Sequence, residues 1–232
     1  MSQPVVLLPG LLCDGDLFAP AVASLSDVAH FHVADLTQDD SIKAMASRVL
    51  AWAPPCFALL GLSMGGYVAQ EIMRQAPGRV TRLALLDTTY KPDTDEARAR
   101  RLGFIELAKT GQFKGVTPRL LPMLVHPDHL KVPAVAGTVL AMAERVGKDA
   151  FIRQQTAIMG RIDGKGDLER IACPTLALCG RDDQLTPLDV HREMAGLIPN
   201  ARLVIVDQSG HLPPLEQAIA VNAVLRYWLA TS

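Results

Sequence analysis

The stretch Cys56-Phe57-Ala58-Leu59-Leu60-Gly61-Leu62-Ser63-Met64-Gly65-Gly66-Tyr67-Val68 decides the fold. Residues 56–60 are a short unbroken apolar run, the pattern of a strand buried on both faces, and the run stops at Gly61. From Met64 onward the apolar positions Val68, Ala69, Ile72, Met73 and Ala76 recur at helical period until Pro77-Gly78 end them. Between strand and helix lies the pattern G-x-S-x-G. A strand that turns directly into a helix strains its central residue, and glycines two positions to either side let neighbouring backbones pass closely. Ser63 then projects alone above the edge of a sheet.

Outward from this turn, the same alternation repeats. Apolar strand runs are expected at 5–8, closed by Pro9-Gly10, at 31–35, at 80–86, closed by Asp87, at 174–179 and at 202–206. Helical patterns occupy 17–25 and 188–197, and a terminal helix carries Val221, Leu225 and Trp228. Another helix, capped by Ser41, carries Ile42, Met45, Ala46, Val49 and Leu50. Strands alternating with helices predict an α/β fold with a mostly parallel, doubly wound sheet. Between 91 and 166 the alternation stops, and only helical stretches follow, at 95–110, 133–146 and 149–159. The expected organisation is a core of 1–90 and 167–232 with an all-helical cap inserted at 91–166.

Composition narrows the function classes. A chain of 232 residues that is 49% hydrophobic and 20% charged can bury one large core. With 23 Lys plus Arg against 24 Asp plus Glu, the net charge of -1 supplies no general field for nucleic acid or anionic lipid. Cys13, Cys56, Cys173 and Cys179 lie far apart without a C-x-x-C pair, as expected of reduced thiols in a cytoplasmic protein. Met1-Ser2-Gln3-Pro4 has no basic region ahead of its apolar run, so no cleaved secretory signal is expected. Residues 49–70 carry no charge, but Pro54-Pro55 and Gly61, Gly65 and Gly66 break them into separate elements, which argues against a membrane span.

A serine hydroxyl is a weak nucleophile that needs a base, itself oriented by an acid. Gly180-Arg181-Asp182-Asp183-Gln184-Leu185-Thr186-Pro187 follows one strand, and Ser209-Gly210-His211-Leu212-Pro213-Pro214-Leu215-Glu216 follows the next. The chain order Ser, Asp, His is the one this nucleophile turn uses. All three would lie beyond the carboxyl ends of strands, where open α/β sheets place ligands. Asp182, Asp183 and Asp87 all compete for the acid.

At these residues the chain resembles the α/β-hydrolase superfamily, as a capped, serine-esterase-like member, over nearly its whole length. The family's G-x-S-x-G corresponds to Gly61 to Gly65, its G-x-x-D-x-x-x-P acid motif to Gly180, Asp183 and Pro187, and its G-H-x-x-x-x-E motif to Gly210, His211 and Glu216. The resemblance implies Ser63 as nucleophile, His211 as base and then acid, and Asp183 as the orienting carboxylate, favoured over Asp182 by its distance to Pro187. It implies an oxyanion hole from the backbone N–H groups of Met64 and Leu11, although Pro9-Gly10-Leu11 stands where the family usually has His-Gly. Members commonly begin with a pair of strands ahead of that loop; here the loop starts at residue 9, so a trimmed core of about six strands is expected.

Other motifs read blandly. His126-Pro127-Asp128-His129 is a polar loop rather than a metal site, since no third ligand is near in sequence. Arg98, Arg100 and Arg101 follow Asp93, Asp95 and Glu96 and read as a solvated helix face. Leu120, Leu121, Met123, Leu124, Val125, Val139, Leu140, Met142, Phe151, Ile158 and Met159 make the helical insertion strongly apolar, and Cys13 is a spectator. The expected activity is hydrolysis of a small, largely apolar carboxylic ester, lactone or thioester by a monomer or homodimer, with no cofactor and no metal. The alternatives are a carbon-carbon bond hydrolase, lyase or perhydrolase on the same three residues, or a receptor or regulator that binds without turnover.

Overall fold

In the computed structural model, which describes residues 3–117 and 120–230, the six apolar runs form one parallel sheet. Met1 and Ser2, read above for a signal, lie outside the described residues. Strands β1 (Gln3–Leu8), β2 (Ala29–Val33), β3 (Phe57–Leu62), β4 (Val80–Leu86), β5 (Thr175–Gly180) and β6 (Ala201–Val206) stand in the order β2-β1-β3-β4-β5-β6. Each neighbouring pair is parallel. The expectation of about six strands in a doubly wound α/β core therefore holds.

The helices are α1 (Ala19–Leu25), α2 (Ile42–Trp52), α3 (Met64–Gln75), α4 (Asp95–Leu107), α5 (Leu121–Leu124), α6 (Pro133–Met159), α7 (Lys165–Leu168), α8 (Leu188–Leu197), α9 (Pro213–Glu216) and α10 (Ala218–Ala230). Ser41 caps α2 as its sequence suggests, its hydroxyl accepting from the Ala44 N–H at 3.2 Å. The charge-free stretch 49–70 divides between α2, β3 and α3, and no helix among the described residues is long and apolar enough to cross a membrane.

Strand parity sorts the core into two layers. Val5, Leu7, Ala58, Leu60, Leu62, Ala84, Leu86, Leu176 and Leu178 face one way, against α1 and α10. Val6, Leu8, Phe57, Leu59, Leu83, Leu85 and Ala177 face the other, against α2, α3 and Met194 of α8. Both faces are covered, so the strands read as continuous apolar runs rather than alternating ones. Each fully buried leucine contributes roughly 1.5–3 kcal/mol of transfer free energy.

Two helical expectations are refined. The predicted 95–110 helix ends at Leu107 and closes in a wide turn over Ala108–Gln112, where Gly111 takes φ 83°. The expected helices 133–146 and 149–159 are both present within α6 and meet at a kink at Gly147, whose φ of 75° and ψ of 178° no other residue type adopts readily. The short α7 packs on α3 and α8.

Sheet order also fixes where loops meet. The chain leaves β1 toward β2 on one side and returns to β3 on the other, so the strand order reverses between β1 and β3. Leu8 pairs with Gly61 across that boundary, which sets the loop after β1 beside the turn after β3. This is the crevice in which open α/β sheets bind ligands.

Candidate active site

Ser63 occupies the sharp turn between β3 and α3 with φ 55° and ψ -115°, a left-handed conformation that costs about 1–3 kcal/mol in a non-glycine residue. Surrounding hydrogen bonds hold it there. Its N–H donates to Leu86 O at 3.0 Å, and its carbonyl accepts from the Gly66 N–H at 2.9 Å and the Thr88 hydroxyl at 2.8 Å. A methyl group on Gly65 would lie 2.0 Å from Leu8 O, so only glycine lets α3 begin this close to β1. Thr88 is fixed in turn by its N–H, which donates to Nε2 of the fully buried His191 at 3.0 Å.

Ser63, His211 and Asp183 come together. His211 Nε2 lies 2.8 Å from Ser63 Oγ, and its Nδ1 lies 2.9 Å from Asp183 Oδ2. Asp183 Oδ1 also accepts from the N–H groups of Leu185 and Thr186 at 2.8 and 3.2 Å, and Oδ2 from the Thr186 hydroxyl. Burial pushes the Asp183 carboxyl up, but the charge and hydrogen bond of His211 and the donors of Thr186 and Leu185 outweigh it and hold it at about 2. An ionised Asp183 accepts the Nδ1 proton, which leaves the Nε2 lone pair facing the serine hydroxyl. The arrangement can take a proton from Ser63 as its oxygen attacks an electrophile.

The rival acids are placed elsewhere. Asp182 is half exposed, and its Oδ2 lies 3.6 Å from His126 Nε2. Asp87 is fully buried behind Asp183, with Oδ1 accepting from the Gly180 N–H at 2.9 Å. Among the described residues, Asp87, Asp183 and His211 are the one group of His, Cys, Asp or Glu side chains whose ligating atoms fall within 4.8 Å of one another. His211 already uses both ring nitrogens, which makes this an acid and base cluster rather than an open ligand set.

The histidine loop is built around Glu216. That carboxylate accepts from the N–H groups of Gly210 at 3.1 Å, Leu212 at 3.0 Å and His126 at 2.7 Å, and lies 3.3 Å from His129 Nδ1. The His211 N–H donates to Leu124 O at 3.0 Å. Segment 124–129, including the polar His126 to His129 loop, is thereby tied to the loop that carries His211. A methyl group on Gly180 would lie 1.9 Å from Gly210 O, so glycine at the end of β5 lets the acid and histidine loops close on each other.

The loop after β1 runs beside the serine: a methyl group on Gly10 would lie 3.4 Å from Ser63 Cβ. Among the described residues, neither the Leu11 nor the Met64 N–H donates to a protein acceptor, whereas the next N–H, of Leu12, donates to Gln154 Oε1 at 3.1 Å. Gln154, fully buried on α6, also donates from Nε2 to Leu36 O at 3.2 Å. Cys13 Sγ donates to Leu11 O at 3.5 Å, and burial, followed by the charge of Asp14, pushes its thiol up to about 12, so it carries no thiolate.

Gln154, Thr88 and His191 were not legible as parts of this site. Gln154 sits between Phe151 and Ile158 on the apolar face of α6, and a polar residue inside a buried helical stripe was the available signal. The arginine cluster also departs from a purely solvated face. Arg101 donates to Asp93 at 2.8 Å and Gln155 at 2.7 Å, and Arg98 to Met159 O at 3.0 Å, tying α4 to α6.

Comparison with known proteins places these features in company. The sequence profile of a family described as the alpha/beta hydrolase fold matches residues 54–218. The pimeloyl-[acyl-carrier protein] methyl ester esterase of Xanthomonas oryzae pv. oryzae is 26% identical over 245 residues, spanning 98% of this chain and 95% of its own. A protein of Pseudomonas savastanoi pv. phaseolicola that carries the carbamate-hydrolase name RutD is 30% identical over 189 residues, spanning 77% of this chain and 71% of its own. A solved thermophilic esterase from Thermogutta terrifontis superposes with a TM-score of 0.88 at 27% identity, over 99% of this chain and 90% of that one.

Proposed function

Because the chain belongs to the alpha/beta hydrolase fold family, we propose that it is a serine hydrolase cleaving small, largely apolar carboxylic esters through an acyl-enzyme on Ser63. The observation that carries this reading is the Ser63 Oγ to His211 Nε2 contact of 2.8 Å, continued by His211 Nδ1 to Asp183 Oδ2 at 2.9 Å. Relatives named for methyl ester and carbamate cleavage, and a structural neighbour named as an esterase, support attack on an acyl carbon bonded to a leaving heteroatom.

In this reading Ser63 attacks the carbonyl carbon while His211 takes the hydroxyl proton. The ionised Asp183 stabilises the imidazolium and keeps Nδ1 as the donor toward it. The unused N–H groups of Leu11 and Met64 receive the developing oxyanion, an interaction worth about 2.7–4 kcal/mol per donor. His211 returns its proton to the leaving alcohol, and water then cleaves the acyl-enzyme by the same route. We read the helical segment 91–166 as a cap over Ser63, which supplies the apolar wall for the acyl or alcohol group. The dispersed free cysteines favour a cytoplasmic setting.

The test is a fluorophosphonate probe followed by peptide mapping, in parallel with turnover of short and medium p-nitrophenyl esters. One adduct, on Ser63, together with repeated turnover is the expected result. An adduct without turnover moves the protein to carbon-carbon chemistry or to a binding role, and no adduct means that Ser63 is not activated.

A further inference from the structure

Two buried carboxyl groups lie side by side beneath His211, and the activity proposed above uses only one of them. Asp183 accepts four hydrogen bonds, from His211 Nδ1, the Thr186 hydroxyl and the N–H groups of Leu185 and Thr186, which accounts for a full negative charge. Asp87 is treated differently. It follows β4 directly, with a left-handed φ of 41° and its N–H donating to Leu178 O at 2.9 Å, and its side chain is completely shielded from solvent. Its Oδ1 accepts one N–H, from Gly180 at 2.9 Å, while its buried Oδ2 has no donor among the described residues.

A carboxylate oxygen in that position is shielded from bulk solvent, finds no donor among the described residues, and sits against a second anion, with ligating atoms of Asp87, Asp183 and His211 all within 4.8 Å. Two adjacent buried charges repel strongly, so the pair retains one proton. The donor count decides where that proton resides: Asp183 is the solvated anion, and Asp87 is the neutral acid. A proton on Oδ2 removes the orphaned acceptor and gives Asp183 a fifth donor. We propose that Asp87 is a neutral carboxylic acid whose Oδ2–H donates to the Asp183 carboxylate, making it a positioning residue that sets how strongly Asp183 attracts the His211 imidazolium.

The remaining titratable groups around Asp87 agree with this assignment. Glu216 on α9 adds further negative charge, Cys179 on β5 is a neutral thiol, and His191 on α8 is uncharged because its Nε2 accepts the Thr88 N–H. The Nδ1 of His211 is committed to Asp183. Burial, then the Asp183 charge, pushes the Asp87 carboxyl well above the usual carboxylate range.

The role rests on the serine-hydrolase reading; the protonation does not, so two measurements separate them. The first is equilibrium unfolding of the full chain and of Asp87→Asn between pH 5 and 8. If folding traps a proton on Asp87, the folding constant of the native chain falls relative to Asp87→Asn by about tenfold per pH unit, because an unfolded aspartate near 3.9 is ionised throughout this range. A ratio that is flat with pH overturns the proposal. The second is the pH dependence of kcat/KM for ester hydrolysis. Asp87→Ala strips Asp183 of its donor and is expected to move the acid limb to higher pH, since a less delocalised anion holds the imidazolium proton more tightly. Asp87→Asn, which keeps a donor toward Asp183 and an acceptor for Gly180, is expected to restore it. An unmoved limb in Asp87→Ala overturns the positioning role. Absence of Ser63 labelling in the native chain overturns the hydrolase reading while leaving the unfolding result standing.

Discussion

The Leu12 N–H donates to Gln154 Oε1 at 3.1 Å, joining residues 142 positions apart in the chain. Because Gln154 Nε2 also donates to Leu36 O at 3.2 Å, one side chain on α6 fixes the loop whose previous N–H, that of Leu11, is the proposed oxyanion donor. Replacement by leucine leaves a buried N–H and a buried carbonyl unpaired, at about 1–3 kcal/mol each. Gln154→Leu is therefore expected to lower kcat roughly tenfold, part of the worth of an oxyanion donor, with KM little changed. Steady-state kinetics beside a thermal melt check this; a lower melting point with unchanged kcat would reduce Gln154 to a structural strut.

Ser63, His211 and Asp183 form one connected chain of hydrogen bonds, and residues acting as a unit lose activity together. Ser63→Ala and His211→Ala are each expected to lower kcat by a similar factor, on the order of a million. The double variant should be little worse than either. Multiplicative losses in single-turnover assays would count against the assignment.

Asp183 faces His211 Nδ1, while Asp182 is half exposed and turned toward His126. Asp183→Asn is expected to cost about 10,000-fold in kcat by inverting the imidazole tautomer, and Asp182→Asn to leave kcat near that of the native chain. With Asp183 held at about 2, below its ordinary 3.8, its contribution of about 2 kcal/mol is present above pH 4 and is lost as pH falls toward 2. Urea unfolding between pH 5 and 2 should show a shallower decline in Asp183→Asn. The opposite ranking of the two aspartates in kcat would move the acid by one position.

Burial pushes the His191 imidazole below its ordinary value of 6.5, against the hydrogen bond to Pro187 O that favours its charged form. The unfolded chain then binds a proton that the folded chain refuses, so stability is complete above the ordinary value and declines as pH falls beneath it. Since His191 holds Thr88, and Thr88 holds the Ser63 carbonyl, His191→Gln should flatten the fall in urea midpoint between pH 7.5 and 5.5. Equal slopes in the two proteins would show that this histidine does not take part.

Much of the architecture was legible because it depends on local periodicity. The runs that became β3 and β4, the helical spacing after Met64 and the loss of alternation after β4 are one-dimensional signals, and each strand appeared within two residues of its expected place. The break between 133–146 and 149–159 was legible too, because Gly147 leaves the helical region with φ 75° and ψ 178° and separates the two helical segments of α6. The arginines after α4 begins could not be sorted by charge pattern alone: Arg101 faces inward to Asp93 and Gln155, which depends on how α4 is rotated against α6.

By itself the sequence determined the parallel α/β sheet, the strand-turn-helix at Ser63 and the order in which serine, acid and histidine follow their strands, since these are properties of short segments and of the segments' succession. Tertiary structure alone decided that Asp87 lies against Asp183 with an oxygen that finds no donor among the described residues, and that Gln154 holds the loop after β1. Those outcomes depend on side-chain direction and on groups more than 25 positions apart meeting in a medium without water, where every donor must find an acceptor and adjacent charges must share a proton.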